Sequence, residues 1–187
     1  MKLELCCITD KTRPAMGYVK ITKETMVATN AHILGVLPTE LLFDEEQIEQ
    51  IPEEGFLLLA SDFKKLREAH RRAFSTSLDT IHLWNKKNAL SIIPTATEAN
   101  VGKYPNWQGV IPPPEMRTAS LPQISLNAAL LANLQLALTS HTEVPQLRLA
   151  FSGPKNAIYC EPLYNLDEEA FANRHFGIIM PCLLPNS

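Results

Sequence analysis

The residues of this chain that could do chemistry are five histidines, four cysteines and a local run of cations. His32, His70, His82, His141 and His175 are scattered along the sequence. No G-x-S-x-G elbow presents a serine nucleophile and no H-E-x-x-H pair presents metal ligands on one helix face. With seven glycines in all, there is no Gly-rich loop to wrap a phosphate in backbone amides. The cysteines stand as the adjacent pair Cys6 and Cys7, then singly as Cys160 and Cys182, without the C-x-x-C or Cys/His spacing that zinc requires. They read as reduced, mostly buried small hydrophobes of a cytoplasmic protein. His32 and Cys182 could form a Cys–His pair only if the fold brought both to one groove. The pattern points to binding rather than catalysis and requires neither metal nor cofactor.

The cations make the first candidate binding surface. Phe63–Phe74 has helical periodicity with Ser61 or Asp62 as cap, and Phe63, Leu66, His70 and Phe74 share one face. Lys64, Lys65, Arg67, Arg71 and Arg72 fall mainly opposite or beside that stripe. Such a face could meet nucleic-acid phosphates in a salt-sensitive way. The alternative is a solvated helix surface. A formal net charge of -3 argues against a protein that coats nucleic acid generally, so any DNA contact must be local.

Leu3–Ile8, Gly17–Thr22 and Thr25–Leu37 are apolar or alternating runs separated by turn-like stretches, which predicts a strand meander. Thr39–Pro52 is acidic and predicts a connector with one helical turn. Phe56–Ala60 predicts a short strand ahead of the cationic helix, and Thr80–Trp84 and Ala89–Pro94 predict strands around a turn at 85–88. Pro112, Pro113 and Pro114 then interrupt any helix or paired strand. Beyond them the order recurs: Gln123–Leu126 as strand, Asn127 as cap, Ala128–Leu138 as helix, then strands Gln146–Phe151 and Ala157–Glu161. Lys87-Asn88-Ala89-Leu90 and Lys155-Asn156-Ala157-Ile158 stand 68 residues apart, and Asp62 and Asn127 stand 65 apart. Two strand–helix–strand–strand units in register imply duplication. Their short connections exclude parallel crossovers, so the fold class is α+β, with antiparallel sheets and two helices on one side.

Four segments carry a family resemblance. Val27-Ala28-Thr29-Asn30-Ala31-His32-Ile33-Leu34 resembles the V-A-T-D-G-H-R-L strand of the bacterial DNA polymerase III beta sliding clamps. Residues 102–112, G-K-Y-P-N-W-Q-G-V-I-P, are similar to that family's G-R-F-P-D-Y-x-x-V-L-P. Ile124–Asn127 leading into Leu130, Leu131 and Leu134 resembles the opening of its last half-domain, and Ile178-Ile179-Met180-Pro181 resembles its terminal V-V-M-P-M-R-L. The resemblance implies a short, diverged, single-domain-like relative with the DNA clamp fold. Residues 1–54 would form a strand meander with its acidic connector, 55–114 a first clamp-like half and 115–187 a second.

The resemblance also implies partners. In clamps the helices face duplex DNA, which here singles out the five cations above, although the second helix carries no Lys or Arg. Clamps capture polymerase and repair-protein peptides in a groove. By motif, that groove would comprise Thr29, Ala31, His32, Ile33, Leu34, Pro105, Val110, Ile178, Met180, Pro181 and Cys182. Ala31 stands where the family has Gly, and Ile33 and Gly109 stand where it has Arg, as does Leu183 at the terminus; these changes make the groove more apolar. Several copies would be needed to close a ring, so a homo-oligomer is one expectation. The reading is a clamp-like replication or repair accessory protein that binds duplex DNA and partner peptides; the alternative is a monomeric interaction module of the same fold that no longer binds DNA. No apolar run reaches the roughly 18–20 residues of a membrane span, and the N-terminus lacks a signal-peptide pattern, so a cytoplasmic location is expected.

Overall fold

A computed structural model of the chain describes residues 1–69, 71–74, 79–85, 87, 89–117, 124–139, 146–153, 155–162 and 175–182. The strands are β1 (Tyr18–Ile21), β2 (Thr25–Thr29), β3 (Ile33–Pro38), β4 (Phe56–Leu59), β5 (Arg71–Phe74), β6 (Thr80–Trp84), β7 (Leu90–Pro94), β8 (Leu147–Ala150), β9 (Ile158–Pro162) and β10 (Phe176–Ile179). The helices are α1 (Glu45–Glu49), α2 (Ala60–Glu68), α3 (Glu98–Val101) and α4 (Ala128–Leu138). Among the described residues, seven strands form one sheet in the order β4-β1-β2-β3-β10-β9-β8, and β5-β6-β7 form a second. Every strand pairing among the described residues is antiparallel. The α+β arrangement with antiparallel sheets is therefore the observed one.

One face of the large sheet carries the main core. Val19, Ile21, Ala28, Ile33 and Leu37 pack there with Phe63 and Leu66 of α2, with Leu134, Ala137 and Leu138 of α4, and with Ile81, Leu83 and Ile93 from the small sheet. Asn127 caps α4, its side chain accepting from the backbone N–H of Ala129 and Leu130. Asp44 and Gln47 form a capping box on α1, the helical turn expected in the acidic connector. The opposite face carries a second cluster, in which Val27, Leu34, Leu57 and Ile178 pack with Tyr104 and Trp107 of residues 95–117, a strap laid across the sheet.

Several local expectations are corrected. Leu3–Ile8 is not a strand: Leu3–Cys6 is a 3-10 helix, and Lys2 N donates to Leu136 O. A 3-10 turn puts Leu3 and Cys6 on one side, and both are fully buried beneath the helices. Thr25–Leu37 is not one strand but the hairpin β2–β3, broken where Asn30 Oδ1 accepts from His32 N and Ile33 N. The cationic helix begins at Ala60 with no side-chain cap and ends at Glu68. Asp62 lies inside its first turn and pairs with Lys65 at 2.7 Å. Arg71 and Arg72 lie on β5, because that segment gains a full antiparallel ladder with β6. His70 and the side chain of Phe74 lie outside the described residues, as do Gln123, Asn88, Leu183 and His141. Of the expected strand at 123–126, the described residues show one bridge, Ser125 to Cys182.

Candidate functional site

The site grows from the seam between β3 and β10. Ile178 pairs with Leu34 and Ile179 with Ile33, and the ladder continues as Met180 N donates to His32 O at 2.8 Å. Residues 148 positions apart thereby lie side by side. The 30–32 turn is held from within: Thr29 Oγ1 donates to Ile33 O at 2.8 Å and accepts from Ala31 N at 3.2 Å. Ala31 has φ of 70°, the one non-glycine with positive φ among the described residues. That conformation costs an alanine about 1–2 kcal/mol, so the rim holds some backbone strain.

The strap supplies the facing wall. Tyr104 is buried, and its hydroxyl donates to Val27 O at 2.9 Å and approaches Tyr18 O at 3.3 Å. Burial pushes its pKa well up, so it stays a donor. At the far end, Arg117 stacks 3.6 Å from the Tyr159 ring centroid and donates through Nε to Pro112 O at 2.7 Å. Between these pins, Pro105 to Val110 lean over the seam.

Together these parts enclose a cavity of about 190 Å³ lined by Met16, Thr29, Ala31, His32, Ile33, Leu34, Pro105, Asn106, Trp107, Val110, Ile178 and Met180. Nine of the eleven residues expected from the motifs lie around it. Pro181 and Cys182 do not: the chain turns away after Met180, and Cys182 N donates to Ser125 O. His32 and Cys182 thus do not share the cavity. Sequence reasoning missed Met16, Asn106 and Trp107. The latter two stood inside a matched segment, whereas Met16 arrives through a 3-10 turn (Pro14–Gly17) that no motif marks. The lining carries no carboxylate, lysine or arginine. Val110 and Met180 form a half-open apolar rim, 48% and 36% exposed.

The expected cationic face is dispersed. Arg67 is held by Glu4 at 2.8 Å and Glu68 at 3.1 Å, and Lys65 by Asp62. Arg72 Nε donates to Leu66 O at 3.0 Å, and its partial burial lowers the guanidinium pKa. Arg71 lies over the Trp84 ring, 5.9 Å from its centroid. Lys64 is exposed on α2. No group of three or more His, Cys, Asp or Glu side chains that could hold a metal occurs among the described residues, and no helix among them is long and apolar enough to cross a membrane.

No protein-family model and no curated protein matches the sequence. Solved structures do match in fold. DNA polymerase III subunit beta from Borrelia burgdorferi, in complex with a natural product, superposes with a TM-score of 0.64 at 11% identity over 98% of this chain and 59% of that one. The Bartonella birtlesii sliding clamp bound to griselimycin gives 0.62 at 14% identity, over 98% and 63% of the two chains. The polymerase III beta chain of Streptococcus pneumoniae gives 0.62 at 14%, over 98% and 61%. This chain spans about three fifths of the length of those proteins.

Proposed function

We propose that this chain, which has the fold of the bacterial sliding clamps, is a binding protein of DNA replication or repair whose cavity beside Met180 captures a short apolar segment of a partner protein. The observation that supports this is the composition of the cavity: four separate stretches of chain build it, its lining holds no carboxylate, lysine or arginine, and its rim exposes Val110 and Met180. A volume of about 190 Å³ suits one or two aliphatic or aromatic side chains rather than a large cofactor. An extended peptide turns alternate side chains to one face, so two apolar residues separated by one other would enter together. Met16 and Met180 give the walls some adaptability.

Duplex DNA has a smaller place in this reading. Of the five cations, Arg67, Lys65 and Arg72 already serve partners within the chain, which leaves Lys64 and Arg71 exposed and without a salt bridge among the described residues. The decisive experiment titrates synthetic peptides bearing a Leu-x-Leu or Leu-x-Phe anchor and follows thermal unfolding. Protection in the wild type that disappears in Met180→Asp is the expected result. No protection by any anchor peptide overturns the proposal, as does equal protection of the variant.

A further inference from the structure

The strap that walls the cavity has a larger hollow on its other side. The strap is pinned to successive strands: Ala96 bridges to Leu57 on β4, Glu98 pairs with Lys20 on β1 at 2.6 Å, and Tyr104 bonds to Val27 on β2. Beyond it, at the strand ends around Thr22–Thr25, a cleft of about 1250 Å³ opens. The cavity and the cleft share Pro105, Asn106 and Trp107 as a common wall. They also share a strand, since Thr29 of β2 lines one and Thr25 the other.

The two hollows differ in charge. Ion pairs Lys20–Glu98 and Lys23–Glu53 neutralise four of the charged residues that line the cleft. Lys103 remains against Glu24 and Glu54, two exposed carboxylates that enter no ion pair among the described residues. The cleft therefore has one more carboxylate than lysines, whereas the cavity lining has neither kind of residue.

We infer that the partner segment extends past its apolar anchor, crosses the strap at Asn106 and Trp107, and lays a basic stretch in the cleft beside Glu24 and Glu54. This rests on the anchor reading given above. The geometry sets the spacing. Thr29 and Thr25 are four residues apart on β2, about 13 Å at ~3.3 Å per residue. Allowing for the rise over the strap, the basic residues stand about five to seven positions from the anchor. Trp107, partly buried in the shared wall, is the side chain over which both halves would pass, and an aromatic ring can attract a lysine or arginine in transit.

The test uses the full chain and three fluorescent peptides that share one Leu-x-Leu anchor and carry Lys-Lys, Ser-Ser or Glu-Glu at the sixth and seventh positions beyond it. In low salt, Lys-Lys is expected to bind about three- to tenfold more tightly than Ser-Ser, and Glu-Glu more weakly. The lysine gain should shrink at high salt and vanish in Glu24→Lys/Glu54→Lys, whose exposed changes leave Ser-Ser binding as it was. Met180→Asp should abolish binding of all three. Equal affinity for Lys-Lys and Ser-Ser, a preference for Glu-Glu, or a gain that survives the charge reversal overturns the inference and leaves the anchor reading standing. Failure of all three peptides to bind overturns both.

Discussion

Gly177 sits at the centre of the seam, paired across strands with Gly35. A Cβ at 177 would fall 2.6 Å from Leu134 Cδ1, 3.0 Å from Leu138 Cδ1 and 2.8 Å from Leu34 O. The leucine methyls can swing aside, but the carbonyl belongs to the partner strand and cannot retreat without loosening the ladder. Gly177→Ala therefore overpacks a fixed contact, which costs about 1–3 kcal/mol. The loss of unfolded-state freedom returns about 0.4–1 kcal/mol. A net destabilisation of about 1–2 kcal/mol lowers Tm by about 2–8 °C in a chain of this size. At Gly35 the Cβ would meet only side-chain ends, Leu3 Cδ1 at 2.7 Å and Cys6 Sγ at 3.2 Å, so Gly35→Ala should cost less. Gly109→Ala, whose nearest contact is Asn106 Nδ2 at 3.5 Å, is the near-neutral control. Urea unfolding of the three variants, with midpoints compared at constant m, measures the order. If Gly177→Ala unfolds at the midpoint of Gly109→Ala, the close approach of α4 and β3 to β10 is wrong.

Three further outcomes are expected. Burial pushes His175 down to about 4 from its ordinary 6.5, with a backbone hydrogen bond at Leu138 acting the other way. The unfolded chain then takes up the proton first, so this contribution to stability is full above about pH 6.5 and is lost as pH falls towards 4. Urea midpoints should drop across that window in the wild type and drop less in His175→Gln; equal slopes would remove His175 as the cause. Burial also pushes Cys7 and Cys160 up to about 12 and Cys6 higher still, whereas Cys182 is exposed. Iodoacetamide at pH 8 should label Cys182 alone in the native chain and all four thiols in urea, and rapid native labelling at a second site would contradict the packing of the N-terminal turn. Tyr104→Phe deletes the hydroxyl that bonds to Val27 O and should lower stability by about 1 kcal/mol, read from urea unfolding. It should also weaken anchor-peptide binding by loosening the strap, and unchanged values for both would show that Tyr104 does not pin it.

What the sequence made legible was what is encoded locally. Asn127 and the apolar run after it marked α4 to the residue, and the hairpins β6–β7 and β8–β9 followed from short strands around turn residues. The errors arose where tertiary contact outweighs local preference. Leu3 to Ile8 alternates well enough for a strand, yet burial of Leu3 and Cys6 beneath two helices selects a 3-10 turn. Ala69 to Phe74 continues the helical pattern, yet the ladder to β6 draws Arg71 and Arg72 into β5 and takes two cations off the helix. Compensation of Arg67 was equally invisible, because Glu4 lies 63 residues away. Around the cavity, the motif match located residues on β2, β3, β10 and the strap. Met16 was missed because it reaches the cavity through a turn with no periodicity of its own.

A cavity assembled from residues 16, 29–34, 105–110 and 178–180 exists only when the β3–β10 seam is closed, so its occupancy must be linked to the stability of the whole sheet. A ligand at 100 times its Kd adds about 2.7 kcal/mol to a protein that binds it only when folded. That exceeds the loss expected of Gly177→Ala, so saturating anchor peptide should return much of the Tm that the substitution removes. The affinity of the variant then separates two kinds of site. If the rim formed by Ala31, His32 and Met180 suffices, Gly177→Ala binds as the wild type does and the two curves shift in parallel. If the seam itself shapes the cavity, as the bond from Met180 to His32 requires, affinity falls together with stability, and the peptide shifts the Tm of the variant by less than that of the wild type, with a gap that is largest once the peptide is in excess of both Kd values.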